Sequence, residues 1–524
     1  MEGIVDTVVL IVIAVAGAAL ARRLGFVAPL VLLVGGLGLS FVPGLPEIHV
    51  EPELVLVGIL PPLLYVAALQ TSIPAFRQAL RPIILLAVGL VMFTAFITGA
   101  VLHLLLPEVP LAACVALGAV VAPPDAVSAT AIARRIGLPR RIVTLLEGES
   151  LLNDATALVI VRIAGGALTG AAVGAWEISR DVVQIAGGGL AIGYAAALLA
   201  AWLHKKIKDP LLDDAVSLLT PFVVVVVAEE LHTSSVVAVV VTGLYLGHRI
   251  PYLLSSTSRL QMEAVWRLIN FLLEGAVFLL VGLQLRELVG DLETDLATTV
   301  RATALVFGLI VVLRFVWMYP AAYLARLMPR IRNREQRPSP AALTVVSWAG
   351  MRGVVTLAAV LTLPPADEVP GGYPRDLFVF VAFAVIVLTL LIQGTTLPMM
   401  ANRLGVREDT STADALAEAA VQNRASRAAL DALEKNADGA PGSVVDRLRA
   451  IAENRNNGAW ERLGSQEQET PSAAYSRLRR EMITAERHVF KIARNEGRIP
   501  EEVLTRAQRD LDLEESQLNR SDDE

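Results

Sequence analysis

The chain has 524 residues, 54% of them hydrophobic, a formal net charge of −6 and a mean hydropathy of +0.58. An apolar share of that size over that length describes a polytopic membrane protein and excludes a soluble globular enzyme. The slightly acidic balance argues against nucleic acid as a partner. The single cysteine, Cys114, leaves no disulfide framework and no thiolate metal site.

Ile4 to Ala19 is the first apolar run. Met1-Glu2 is not the basic start of a cleavable signal, and Arg22-Arg23 follow the run as an anchor, so it reads as a first span. Twelve more apolar segments follow, giving thirteen spans at about 4–21, 27–42, 53–70, 82–106, 111–133, 141–168, 180–203, 212–231, 233–247, 264–286, 299–327, 341–364 and 377–399. Loops after odd-numbered spans are basic: Arg22-Arg23, Arg77 and Arg81, the run 134–141, Lys205, Lys206 and Lys208, Arg249 and Arg259, then Arg326 to Arg337. Loops after even-numbered spans carry Glu47, Glu51 and Glu53, then Glu108, Glu177 and Asp181, later an acid-rich 286–301, and Asp367-Glu368. By the positive-inside rule the amino terminus lies outside and the tail inside a plasma (inner) membrane.

Four spans carry ionisable groups far from either end. With a rise of about 1.5 Å per residue and a hydrocarbon core about 30 Å thick, Asp154 lies about 20 Å into span six and Asp125 about 21 Å into span five. Arg352 in span twelve and Glu274 in span ten each lie about 15 Å deep. Charge at that depth costs about 2.5–3.5 kcal/mol per residue on the lenient insertion scale, so such groups are functional candidates. Two of these spans are also interrupted, by AlaProProAspAlaVal (122–127) and by SerTrpAlaGlyMetArgGly (347–353). Each interrupted span is the fifth of a six-span unit, and span seven makes the second unit enter from the opposite side. The expected architecture is therefore all-α, with two inverted six-helix repeats and paired discontinuous helices at a midplane site.

The stretch 148–159, GlyGluSerLeuLeuAsnAspAlaThrAlaLeuVal, concentrates the polar chemistry. Ser150 and Asp154 share one helix face, as do Glu149 and Asn153. Asp154 is read as the carboxylate that binds either a dehydrated cation or a proton; the bland alternative is a structural pair with Arg352. Asp125, after two prolines, either ligates the ion or offsets an exposed helix amino end. Arg352 is a permanent counter-charge with Glu149 as its preferred partner. Glu274 is a second partner or a pathway residue. Glu147 and Glu230, with Glu229 and His232, read as entrance or interfacial acids. Oxygen-only ligands suit a hard alkali cation and do not suit zinc or copper. Because a buried carboxylate gains either a proton or a cation, one site open alternately to each side is an exchanger.

From Asn402 the composition turns polar, with helical periodicity at Thr412 to Asn436, Val444 to Glu453 and Ala473 to about Asn495. A linker covers Gly464 to Ser472, and Pro500 starts a last helix. The expected division is a transmembrane antiporter domain, 1–401, and a helical cytosolic tail, 402–524, with no nucleotide, metal or cofactor motif.

At these residues the sequence resembles the monovalent cation:proton antiporter-1 family. GluSerLeuLeuAsnAspAla (149–155), ProAspAlaVal (124–127), MetArgGly (351–353), AlaGluGluLeuHisThrSerSer (228–235) and LeuLeuGluGlyAlaValPheLeuLeuValGly (272–282) carry the likeness. The resemblance implies a homodimer in the bilayer, crossed broken helices, and a core (about 82–168 and 299–399) moving like an elevator against a scaffold (about 1–70 and 180–286). It implies Asp154 as ion and proton carrier, Ser150 as a ligand, Asp125 as a site-orienting acid and Glu149–Arg352 as an ion pair. It also gives Asn153 the place where electrogenic relatives carry a second aspartate. One departure is Val66, after LeuProPro, where an acid is usual. The function so implied is electroneutral exchange of Na⁺ (or Li⁺) for H⁺. The alternatives are K⁺/H⁺ exchange and, from another class, a non-transporting sensor that signals through the tail.

Overall fold

The computed structural model describes the chain apart from residues 1, 25, 43–51, 171–173, 175–179, 181, 330–336, 408–409, 462–469 and 524. The loop charges Glu47, Glu51, Glu177, Asp181, Arg330, Arg332 and Arg334, and most of the expected tail linker, lie outside the described residues. Every regular element among the described residues is a helix. The chain divides into two compact units, Met1–Arg407 and Glu408–Glu524.

In the first unit the helices are α1 (Glu2–Leu24), α2 (Ala28–Leu39), α3 (Leu54–Gln70), α4 (Ile73–Leu105), α5 (Leu111–Val121), α6 (Ala126–Arg135) and α7 (Arg140–Leu168). They continue as α8 (Val183–Lys206), α9 (Pro210–Glu230), α10 (Ser235–Leu253), α11 (Ser256–Gly290), α12 (Leu296–Tyr323), α13 (Pro340–Trp348), α14 (Val354–Leu361) and α15 (Arg375–Arg403). Eight of them are long and apolar enough to cross a membrane, which only helices or closed barrels can do without stranding backbone polar groups. Serines close several starts: Ser234, Ser255 and Ser339 each accept the N–H three residues on.

Helix limits differ from the apolar runs where polar surface turns extend them. The sequence places the fourth span from 82, but α4 begins at Ile73, capped by Ser72, and carries Pro82 inside it. The proline removes a backbone donor, and the next turn widens into a π-helical stretch, Leu85–Leu90. Likewise α11 starts at Ser256 rather than 264, because its first turns carry two polar residues, the half-buried Arg259 and the exposed Glu263.

Two apolar clusters organise this unit. One joins α5, α6 and α12 to α15 with parts of α2, α4, α7 and α11; the other joins α3 with α8, α9 and α10. Helices α2 and α11 cross with their backbones in contact. A Cβ on Gly36 would lie 2.5 Å from the Leu279 carbonyl oxygen, and one on Gly282 would lie 2.5 Å from that of Leu33. Outward faces stay apolar, as at Leu199, Trp202, Leu219, Val223 and Val226, which suits lipid.

The second unit holds α16 (Thr410–Asn436), α17 (Gly442–Glu461), α18 (Pro471–Asn495) and α19 (Glu501–Asp523). Helices α18 and α19 run antiparallel. Ile483, Leu504 and Leu511 are buried between them, and Arg479 forks onto Glu514 with two 2.7 Å bonds. Arg487 bonds Asp512 at 2.5 Å and Glu515 at 2.7 Å.

Candidate functional site

Both interrupted spans are broken where the sequence places the breaks. The fifth is α5 and α6 separated by residues 122–125; the twelfth is α13 and α14 separated by 349–353. The two breaks touch: the Asp125 N–H donates to the Met351 carbonyl at 2.6 Å. A Cβ on Gly353 would meet the Asp125 Cγ at 2.7 Å, so only glycine fits this crossing.

Charges at the crossing match the helix ends. Asp125 caps α6, its Oδ1 accepting from Val127 N–H at 3.3 Å and its Oδ2 from Ser128 N–H at 3.0 Å. Because Gly353 is the amino cap of α14, the same carboxylate also lies against the amino end of that half-helix. Arg352 serves the carboxyl ends. Its Nε donates to the Val121 carbonyl at 2.9 Å, Nη2 to that of Ala122 at 3.2 Å, and Nη1 to that of Gly350. Its own N–H donates to Thr389 Oγ1 at 3.0 Å.

The ion pair expected between Glu149 and Arg352 is not the one formed. Both Glu149 oxygens accept from Arg314 on α12, at 2.5 Å from Nη1 and 2.8 Å from Nη2, with both side chains almost wholly buried. Arg352 is held in the break against carbonyl ends, so its guanidinium is already occupied, while Glu149 points at α12. Sequence reasoning passed over Arg314. The signal was available: an arginine within the apolar run of the eleventh span meets the same depth criterion as the other four groups.

On α7, Asn153 is fully buried and its Nδ2 donates to the Pro124 carbonyl at 2.9 Å. It braces the unwound segment and does not line the cavity beside it, whereas Asp154, Ser150 and Asp125 do. That cavity measures about 230 Å³. Val66 from α3 and Asn270 and Glu274 from α11 also line it, and Asn270 Nδ2 donates to Glu274. Glu147 and Arg134 line it too and form a 2.7 Å ion pair, with the Arg134 side chain 60% exposed. Glu230 is exposed and does not border the cavity; its neighbour Glu229 pairs with Arg162 at 3.4 Å and accepts from Ser235 at 2.7 Å. The cavity wall at Asp154 thus offers two carboxylates and a hydroxyl, a donor set for a hard cation or a proton.

Two broken helices, charge-matched at their crossing and bordering a carboxylate-lined cavity among membrane-length apolar helices, are the arrangement of a membrane ion transporter. The chain belongs to the sodium/hydrogen exchanger family, whose transmembrane model matches residues 9–403. It is therefore a multi-pass membrane protein of an antiporter family that couples ion transport to sodium/proton exchange. It is 34% identical over 530 residues, 98% of this chain and 96% of the relative, to an uncharacterised Na⁺/H⁺ exchanger of Mycobacterium tuberculosis. It is 30% identical over 418 residues, 77% of this chain and 62% of the relative, to a sodium, potassium, lithium and rubidium/H⁺ antiporter of Bacillus pumilus. Its fold is similar to that of the sodium proton antiporter MjNhaP1 of Methanocaldococcus jannaschii, with a TM-score of 0.61 at 18% identity, covering 77% of this chain and 99% of that one.

Proposed function

We propose that the chain exchanges one Na⁺ (or Li⁺) for one H⁺ at Asp154, with Ser150 and Asp125 completing the cation's oxygen shell. The observation that carries this reading is the Asp154 carboxylate in the 230 Å³ cavity at the crossing of the two breaks. A proton and a monovalent cation compete for that carboxylate, and occupation by either leaves the site with the same charge.

The surrounding charges support electroneutral exchange. Arg314 is neutralised by Glu149, and the Arg352 guanidinium is matched by the Asp125 carboxylate, so Asp154 is the one acid at the crossing left to change state with the cargo. In this reading the first unit forms thirteen spans, with α5/α6 and α13/α14 each counted once, as two inverted repeats. The amino terminus lies outside and the second unit in the cytoplasm. A core of about 82–168 and 299–399 moves against a scaffold of about 1–70 and 180–286 in a homodimer, serving pH and sodium balance.

Potassium is the second cation to consider, because Val66 gives the cavity an apolar wall and a relative's name includes potassium among its ions. Proteoliposomes with an imposed Na⁺, Li⁺ or K⁺ gradient test both points. Proton flux driven by Na⁺ and Li⁺, and unchanged when valinomycin clamps the voltage in the Na⁺ and Li⁺ experiments, is expected. Voltage-dependent flux contradicts neutrality, and flux driven by K⁺ alone contradicts the sodium assignment.

A further inference from the structure

Asp154 lies midway along α7, with Glu147 seven residues before it and Arg162 eight after, about 10 and 12 Å along the helix. The two directions differ. Toward Glu147 the cavity runs out to the exposed residues Gln70 and Arg134. Toward Arg162 the helix is packed shut. Ala155 is buried and Leu158 half-buried against the apolar cluster of α3, α8, α9 and α10, and neither borders the cavity. Arg162 ends the same helix face, four residues past Leu158. Its Nη2 donates to Glu229 Oε2 on α9 at 3.4 Å, while Ser235 Oγ at the head of α10 donates to Oε1 at 2.7 Å.

On the exchange proposed above, in which α7 moves with the core and α9 stays with the scaffold, we infer that Arg162 and Glu229 form a gate latch. The pair holds the outer route to Asp154 closed while the cavity opens to the cytoplasm, and parts when the site turns outward. Its place in the fold sets it apart from the other ion pairs described in the first unit. Arg134–Glu147 and Glu149–Arg314 each lie within the core, His204–Asp213 joins two scaffold helices, and Arg267–Glu263 lies within α11. Among these described pairs, Arg162–Glu229 alone runs from core to scaffold. Its strength fits the duty. Side chains 48% and 42% exposed, screened by solvent, bias a two-state balance by no more than about fivefold. A contact of that size favours one state and still breaks in every cycle. The buried pair of Glu149 and Arg314 joins helices that move together and has no need to break.

The test labels the site from each face of the membrane. In full-length chain with Cys114→Ser, Val355→Cys puts a thiol on the cavity wall beside the break of span twelve. A membrane-impermeant cationic methanethiosulfonate then reports, in right-side-out and everted vesicles, which face reaches it. Faster reaction from the cytoplasmic face is expected in this parent chain. Arg162→Glu sets two carboxylates against each other and is expected to raise the ratio of outer-face to cytoplasmic-face rates by about two- to fivefold. Glu229→Gln, a gentler change, is expected to shift the ratio the same way. Exchanging the charges, Arg162→Glu with Glu229→Arg, is expected to return the ratio toward the parent value, a rescue that damage to the fold does not give. An unchanged ratio in both single variants overturns the latch, as does a shift that the exchanged pair fails to restore. Equal parent rates from the two faces, or faster reaction from the outer face, overturn a latch that closes the outer route. Labelling needs no flux, so continued exchange in Asp154→Asn defeats the carrier assignment and leaves this readout standing.

Discussion

Glu149 and Arg314 meet through two parallel hydrogen bonds of 2.5 and 2.8 Å, both side chains buried, joining α7 to α12. The Arg314 Nε also donates to the Val346 carbonyl at 3.3 Å, at the foot of the broken twelfth span. This pair fixes the helix that carries Asp154 to its neighbours and frees Arg352 to cap the carboxyl end of α5. Removing one member of a buried pair strands the other charge, at about 3–5 kcal/mol, while replacing both with apolar residues is often neutral. Glu149→Gln and Arg314→Met are each expected to lower the thermal unfolding midpoint of purified protein markedly. Glu149→Leu with Arg314→Met is expected to recover most of the loss; a double variant as unstable as the sum of the singles contradicts the pairing.

The crossing at Gly353 leaves no room for a side chain. Gly353→Ala puts a Cβ 2.7 Å from the Asp125 Cγ, and relief by backbone movement costs about 1–3 kcal/mol. Because that movement displaces the cap of α6, Na⁺-driven proton flux is expected to fall at least about tenfold, a barrier change of roughly 1.4 kcal/mol. The variant should still elute as folded protein in size-exclusion chromatography. Wild-type flux in it contradicts the account of the crossing.

Asn153 acts on the unwound peptide and not on the cargo. Asn153→Ala removes the donor to the Pro124 carbonyl and leaves a buried acceptor unsatisfied, a cost of about 1–3 kcal/mol. A lower unfolding midpoint is expected, with exchange still insensitive to a clamped voltage. Voltage-sensitive exchange in Asn153→Ala runs against this role.

The helical hairpin of the second unit carries its own pH dependence. The Arg479 guanidinium holds the Glu514 carboxyl below the ordinary glutamate range, and Glu514 in turn raises Arg479. A carboxylate depressed in the folded state contributes stability that is present above its unfolded value, about 4.3, and is lost as pH falls through the lower folded value. The contribution is small because the Glu514 side chain is 38% exposed and solvent screens the pair. Glu514→Gln should abolish the part of the hairpin's acid lability seen below about pH 4.3, read by helical circular dichroism of wild-type and variant proteins. An unchanged acid profile contradicts it.

Much of this site was legible beforehand because depth and interruption are properties of the one-dimensional pattern. Prolines 123 and 124, and glycines 350 and 353, mark the breaks, and Asp125 and Asp154 are costly enough in lipid to stand out. Partner choice was not legible. Which guanidinium reaches Glu149 depends on the rotation of α12 about its axis, and that rotation is set by packing between helices distant in sequence. The work of Asn153 is similar: its helix-face position is readable, but the carbonyl it meets exists only because span five unwinds beside it. Helix starts such as Ile73 and Ser256 were missed because amphipathic turns at the surface lack the apolar signal.

The central claim is that Asp154 alone carries the exchanged charge. Its most direct test is Na⁺-driven proton flux in proteoliposomes containing Asp154→Asn, with folding checked by size-exclusion chromatography and thermal unfolding. Folded protein with no coupled flux at any pH is the predicted result; Na⁺/H⁺ exchange at the unsubstituted rate contradicts it.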